Sequence, residues 1–152
     1  MKTIVALVDF SDASSKVLNY AQTLASSLGS QVILLHVVPP EIPVALYGAE
    51  VPPVPIEPSP ATLQANQAKL DEFLHSLTQA GVGARALQIK GPVAETVQNE
   101  VARLNADLVV MASHHHSALY NLFIGSTTAD VLKRASFPVL VVPCDVSEVE
   151  AK

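Results

Sequence analysis

A single cysteine, Cys144, stands among the 152 residues, so no internal disulfide can form and nothing in the composition points to an oxidising compartment. Lying near the end of the chain, it reads as incidental and not redox-active. Positive charge is also scarce. Nine Lys and Arg against fourteen Asp and Glu leave a formal net charge of -5, which lacks the electrostatic footprint of a nucleic-acid binder. Long apolar runs are missing as well. The first, Ile4 to Val8, is stopped by Asp9, too short for the apolar part of an export signal and far too short to span a bilayer. These shortages predict a cytoplasmic protein with no nucleic-acid partner and no membrane partner. There is no internal repeat, no nucleophile elbow, no Gly-Lys-Ser of the Walker type and no paired motif of base and nucleophile.

What the chain does contain is an interior. Apolar residues make up 49% and charged residues only 15%, and the length suits one domain whose core needs neither disulfide nor metal. Runs rich in Val, Ile and Leu alternate with segments of helical period, and unbroken apolar runs predict strands covered on both faces. Strands are expected at Thr3 to Val8, Gln31 to Val37, Arg85 to Ile89, Asp107 to Ser113 and Val139 to Val142. The first helix is expected to be capped by Ser11 or Asp12, to bury Val17, Ala21, Leu24, Ala25 and Leu28, and to stop at Gly29. Ser59-Pro60 opens the second, with Leu63, Leu70, Phe73, Leu74 and Leu77 as its stripe and Gly81 as its end. After the Gly91-Pro92 turn, Ala94, Val97, Val101 and Leu104 mark the third, and the fourth runs from about Ser126 to Ala135 with Val131 and Leu132 inward. Eight of the eleven prolines fall between Pro39 and Pro60, so that connection is expected to be irregular, a flap or an interaction loop. The predicted fold is an α/β, open, doubly wound, five-stranded parallel sheet flanked by four helices.

Ligands of such sheets bind beyond the strand C-termini. Asp9 to Ser11, His36 to Val38, Gly91 and the stretch from Met111 onward are therefore the candidate rim. The richest piece is Met111 to Thr127. At its far end Gly125-Ser126-Thr127 opens a helix, where unpaired N–H groups, the helix dipole and two hydroxyls would receive a phosphate. A tight turn followed by an ordinary cap is the competing reading.

Motifs spread along the whole chain resemble the universal stress protein family: Val8-Asp9-Phe10-Ser11, Leu34-Leu35-His36-Val37, Gly91-Pro92, Asp107-Leu108-Val109-Val110-Met111, Gly125-Ser126 before a helix, and Pro138-Val139-Leu140-Val141-Val142. The resemblance implies a family domain over residues 1–143 with a proline-rich insertion at 39–60, followed by an acidic tail at 144–152. It also implies a Rossmann-like, adenine nucleotide alpha hydrolase-like fold and a homodimer. One branch of the family binds ATP or AMP through a loop of Gly, two residues, Gly, nine residues and Gly-Ser or Gly-Thr. That pattern falls here on Ala112, His115 and Gly125-Ser126, so the spacing is kept and two glycines are not. Alanine and histidine bring a Cβ where glycine lets backbone approach phosphate. An imidazole at His115 would obstruct the pocket or lend it a donor or charge; with a pKa of ~6.5, about a quarter would be protonated near neutrality, and phosphate affinity would fall as pH rises.

By the same resemblance Asp9, Val37 and Met111 are the adenine and ribose contacts. Asp9 would accept from an amino group or a ribose hydroxyl, or simply favour the start of the first helix; core packing alone would account for Val37 and Met111. ATP or AMP, with Mg as a candidate companion, are the implied ligands. The expected function is that of a nucleotide-binding regulatory module of the stress response, with slow ATP hydrolysis as the one catalytic outcome left open. The alternative is the non-nucleotide-binding branch, a dimer that works through protein partners met by the 39–60 loop and the acidic tail. Association is expected through Pro138 to Val142, because a Val-rich edge strand leaves its backbone open to pairing. His114 and His116 share a side of an extended segment and are weak candidates for a metal; two ligands are too few. His36 is placed in an apolar strand, where a satisfied core histidine is the plainer reading.

Overall fold

Each apolar run becomes a strand and each amphipathic segment a helix in the computed structural model, which describes residues 1–41, 54–113 and 126–143. The strands are Thr3–Leu7 (β1), Gln31–Val38 (β2), Ala84–Lys90 (β3), Leu108–Ser113 (β4) and Val139–Pro143 (β5); the helices are Ala13–Leu28 (α1), Pro60–Gln79 (α2), Val93–Arg103 (α3) and Ser126–Arg134 (α4). All strand pairs are parallel and the order is β3-β2-β1-β4-β5, the doubly wound α/β sheet that was expected. The central strands are apolar on both faces because each face meets a helical layer. Ile4, Ala6, Val8, Leu34 and Val110 pack with Val17 and Ala21 of α1 and Leu70 and Leu77 of α2. Val5, Ile33, Leu35, Val37, Val109 and Met111 pack with Val97 and Val101 of α3 and Val131 of α4. A side chain as fully enclosed as Leu70 contributes about 1.5–3 kcal/mol through its burial.

Several local expectations need correction. The edge strands are not covered as the central ones are: most of β3 and β5 is only half-buried, since each has a neighbouring strand on one side among the described residues. Leu28, the last residue of α1, is 49% exposed. Leu63, Phe73 and Leu74 are half-buried, leaving Leu70 and Leu77 to seat α2. Neither Ser11 nor Asp12 caps α1 with its side chain; Asp12 occupies the cap position in a helical conformation and makes no such bond. The proline-rich connection is not wholly irregular, since Glu41 and Ile56 form an antiparallel bridge with N···O distances of 3.0 and 2.8 Å. Its residues 42–53, and the acidic tail at 144–152, lie outside the described residues.

Other signals act as read. Gly29 takes φ 64 and its N–H closes α1 onto the Ala25 carbonyl, and the Ser59 hydroxyl accepts from the Thr62 N–H at 3.1 Å at the start of α2. Asp107, just before β4, locks two central strands in register. Its Oδ2 accepts from the Lys2 and Thr3 N–H groups at 2.7 and 2.9 Å, and its own N–H donates to the Thr3 carbonyl. The Thr3 bond, then the Lys2 bond, hold this carboxyl below the usual carboxylate range.

Gly91 turns β3 into α3 at φ 149, and a Cβ there would stand 2.6 Å from Thr96 Oγ1. Gly91→Ala is therefore expected to cost about 1–3 kcal/mol, and pairing it with Thr96→Ala should recover the steric part of that loss but not the backbone part. Thermal unfolding of the two single variants and the double variant measures both shares.

Candidate functional site

The cleft exists because two strands part company. β1 stays with β2 through Leu7 and Leu35, and the Val8 N–H continues that edge by donating to the Leu35 carbonyl at 2.9 Å. On its other side β1 pairs with β4 only as far as Ala6 and Val110, while β4 runs on beside β5 to Ser113. Beyond Ala6 and Val110 the sheet has split at the point where its strand order reverses, which is where open α/β sheets hold ligands. The gap is a cleft of about 310 Å³, at the lower end of the small-molecule range.

Leu7, Val17, Val37, Val93 and Met111 wall the cleft, and Asp9, Ser14, His36, Thr127 and Thr128 give it polar groups. Asp9, Val37, Met111, Ala112 and Thr127, named from the sequence as site residues, are thus brought together in one place. Met111, 2% exposed, also belongs to the core, so packing and wall are one role. Ser126 begins α4; its side chain, together with Gly125, His114, His115 and His116, lies outside the described residues. Gly91 faces a separate hollow with Val38, Lys90 and Glu57, away from the main cleft. Among the described residues no cluster of three or more His, Cys, Asp or Glu could hold a metal ion.

Asp9 sits exposed at the mouth and its position is fixed from three directions. Oδ1 accepts from the Ser11 N–H at 3.0 Å, the Ser11 hydroxyl at 2.6 Å and the Ser14 hydroxyl at 3.1 Å. This network holds the start of α1 in place of a side-chain cap, so Asp9 both orders the helix start and presents a carboxylate to the cleft. Phe10, next in sequence, stands at φ 64, a left-handed conformation that an aromatic residue adopts only when its surroundings impose it. On the opposite wall the buried Thr128 hydroxyl donates to the Ala112 carbonyl at 3.1 Å and ties the first turn of α4 to the end of β4. That first turn carries N–H groups with no partner inside the helix and the positive end of its dipole, and Thr127 opens into the cleft.

Sequence reasoning missed Ser14, Val17, Val93 and Thr128. Ser14 and Thr128 resemble any helix hydroxyl, and only their position three or so residues into a helix that starts at the rim could have drawn notice to them.

The model of the universal stress protein family matches residues 1–143. The chain belongs to the universal stress protein family. A universal stress protein A homolog of Coxiella burnetii is 32% identical over 143 residues, covering 93% of this chain and 95% of its own length. Among solved structures, a universal stress protein from Archaeoglobus fulgidus in complex with dAMP superposes with a TM-score of 0.68 at 18% identity, covering 93% of this chain and 96% of that one. A universal stress protein in complex with cAMP gives 0.68 at 20% identity over the same shares. Such universal stress protein structures share this Rossmann-like, adenine nucleotide alpha hydrolase-like fold. In this member of the family no helix among the described residues is long and apolar enough to cross a membrane.

His36 is the satisfied histidine expected of an apolar strand, with Nδ1 2.8 Å from the Val8 carbonyl oxygen. Burial pushes its pKa below the usual imidazole value, against the Val8 bond and the Asp9 charge, which raise it, and with Lys69, which lowers it. The folded protein thus binds this proton less readily than the unfolded chain. Stability from this group is complete above the unfolded value of ~6.5 and declines as pH falls from there toward the lower folded value. The thermal midpoint should drop between about pH 7.5 and 5.5, and His36→Asn, whose amide can still donate to Val8, should flatten that drop in scanning calorimetry.

Proposed function

We propose that the chain is an adenine-nucleotide-binding regulatory module of the stress response, taking ATP or AMP in the cleft between β1 and β4 with a phosphate loop altered at Ala112 and His115. The observation that carries this reading is the Asp9 carboxylate, fixed by Ser11 and Ser14 at the mouth of a largely apolar cleft. A flat base needs apolar walls and one or two placed acceptors, and Val37, Met111 and Asp9 supply them. Phosphates would lie toward the start of α4, at Gly125, Ser126 and Thr127, with His115 replacing a glycine contact. The dAMP and cAMP complexes of structural relatives support adenosine monophosphates as the ligand class.

AMP and ATP are expected to bind in isothermal titration calorimetry, and no detectable binding would refute the reading. Asp9→Asn keeps one oxygen as an acceptor for Ser11 and Ser14 but replaces the other with a donating NH2. Losing one charge-assisted bond of roughly 1.5–3 kcal/mol should weaken affinity about tenfold or more.

The same module is proposed to act as a homodimer through Pro138 to Val142. In support, β5 is an edge strand paired only with β4 among the described residues, and its Val139, Leu140 and Val141 are half-buried. Sedimentation should give a dimer that Val141→Lys dissociates; a stable wild-type monomer would rule the interface out.

A further inference from the structure

The imidazole of His36 holds both chain neighbours of Asp9. A carbonyl oxygen only accepts, so the Nδ1 that lies 2.8 Å from Val8 O carries a proton and donates it to the residue before Asp9. The ring also lies against the residue after Asp9: its centroid is 4.2 Å from that of Phe10, at an interplanar angle of 44°. Phe10 is further held by Phe73, at 6.0 Å between centroids, and by the Lys69 ammonium 5.3 Å over its face, contacts that oppose relaxation of its left-handed backbone. Asp9 is thus suspended between two residues that one buried side chain grips.

We propose that His36 is the positioning residue for the Asp9 carboxylate, and that protonating it weakens nucleoside binding in the cleft by drawing Asp9 off Ser11 and Ser14. This rests on the nucleotide-binding reading above. The charged groups acting on the ring are Asp9, at the end of β1, and Lys69, from α2; Gln88, its partner in register on β3, is neutral. A second ring proton places positive charge in a site 9% exposed, beside apolar Phe10 and opposed by Lys69. Asp9 is the acid whose charge acts on that ring, and its Oδ1 is already held by the Ser11 and Ser14 bonds, so a pull toward the ring works against them.

Adenosine is the probe, because it has no phosphate to titrate and none for His115 to meet. Its affinity for the wild-type protein should fall by about fivefold or more from pH 7.5 to one pH unit below the His36 midpoint, read from the ring's own NMR titration, and that for His36→Asn should change little over the same range. Binding whose pH dependence is the same in both proteins, or absent in the wild type, overturns the inference and leaves the nucleotide reading intact. No binding of adenosine, AMP or ATP by the wild type at pH 7.5 overturns both. If His36→Asn does not fold, the wild type still decides. The Ser11 amide, bonded to Asp9, should move in NMR spectra with the midpoint of the His36 ring, and an unmoved Ser11 amide overturns the proposal.

Discussion

Parallel pairing between β1 and its two neighbours governs the rest of the molecule. On the β2 side the ladder runs to Leu7 and Leu35; on the β4 side it ends at Ala6 and Val110. Each strand after β1 must return by a right-handed crossover, and the chain adds β2 and β3 to one side and β4 and β5 to the other. The crossovers from the two halves therefore leave in opposite directions, and the ends of β1 and β4 part where the strand order reverses. The core makes this split affordable. Ile4, Val5 and Ala6 are fully buried immediately before it, and the Asp107 carboxylate fixes the far end of the same two strands.

At the open end, apolar order gives way to polar order within a few residues. Val8 still packs in the core, Asp9 is exposed, and Phe10 already has a left-handed backbone. A strained residue of this kind costs about 1–3 kcal/mol and persists only where several contacts fix it. Here the contacts come from different elements: His36 on β2 and Phe73 and Lys69 on α2 hold Phe10, while the hydroxyls of Ser11 and Ser14 hold Asp9 beside it. The carboxylate arrives at the cleft already oriented, with little rotamer freedom left to lose. The opposite wall is built on the same plan, with the Thr128 hydroxyl fastening α4 to Ala112. Short polar ties thus fasten each side of a largely apolar cleft.

Much of this was legible in the residues. Buried parallel strands announce themselves as unbroken Val, Ile and Leu runs, and the five strands and four helices lie within a residue or two of their expected positions. Gly29, Ser59-Pro60 and Gly91 carry backbone requirements that composition alone cannot hide. Exposure was harder to foresee, because Leu28 and Leu74 fit the helical period as well as Leu70 does and differ only in what lies opposite them. The start of α1 differs for a related reason: Ser11 and Asp12 have suitable side chains, but the Ser11 N–H and the Ser11 and Ser14 hydroxyls turn to Asp9, in an Asx-turn that precedes the helix.

Fold class, strand and helix order and family were all readable from the residues alone, because they follow from periodicity, turn chemistry and spaced motifs that are local in the chain. Tertiary structure alone decided which rim residues share a cleft. Val93 and Thr128 entered it and Gly91 did not, and His36 came to grip both sides of Asp9. Those outcomes depend on where parallel pairing stops and on how helices from distant parts of the chain pack across the gap, distances that no local pattern encodes.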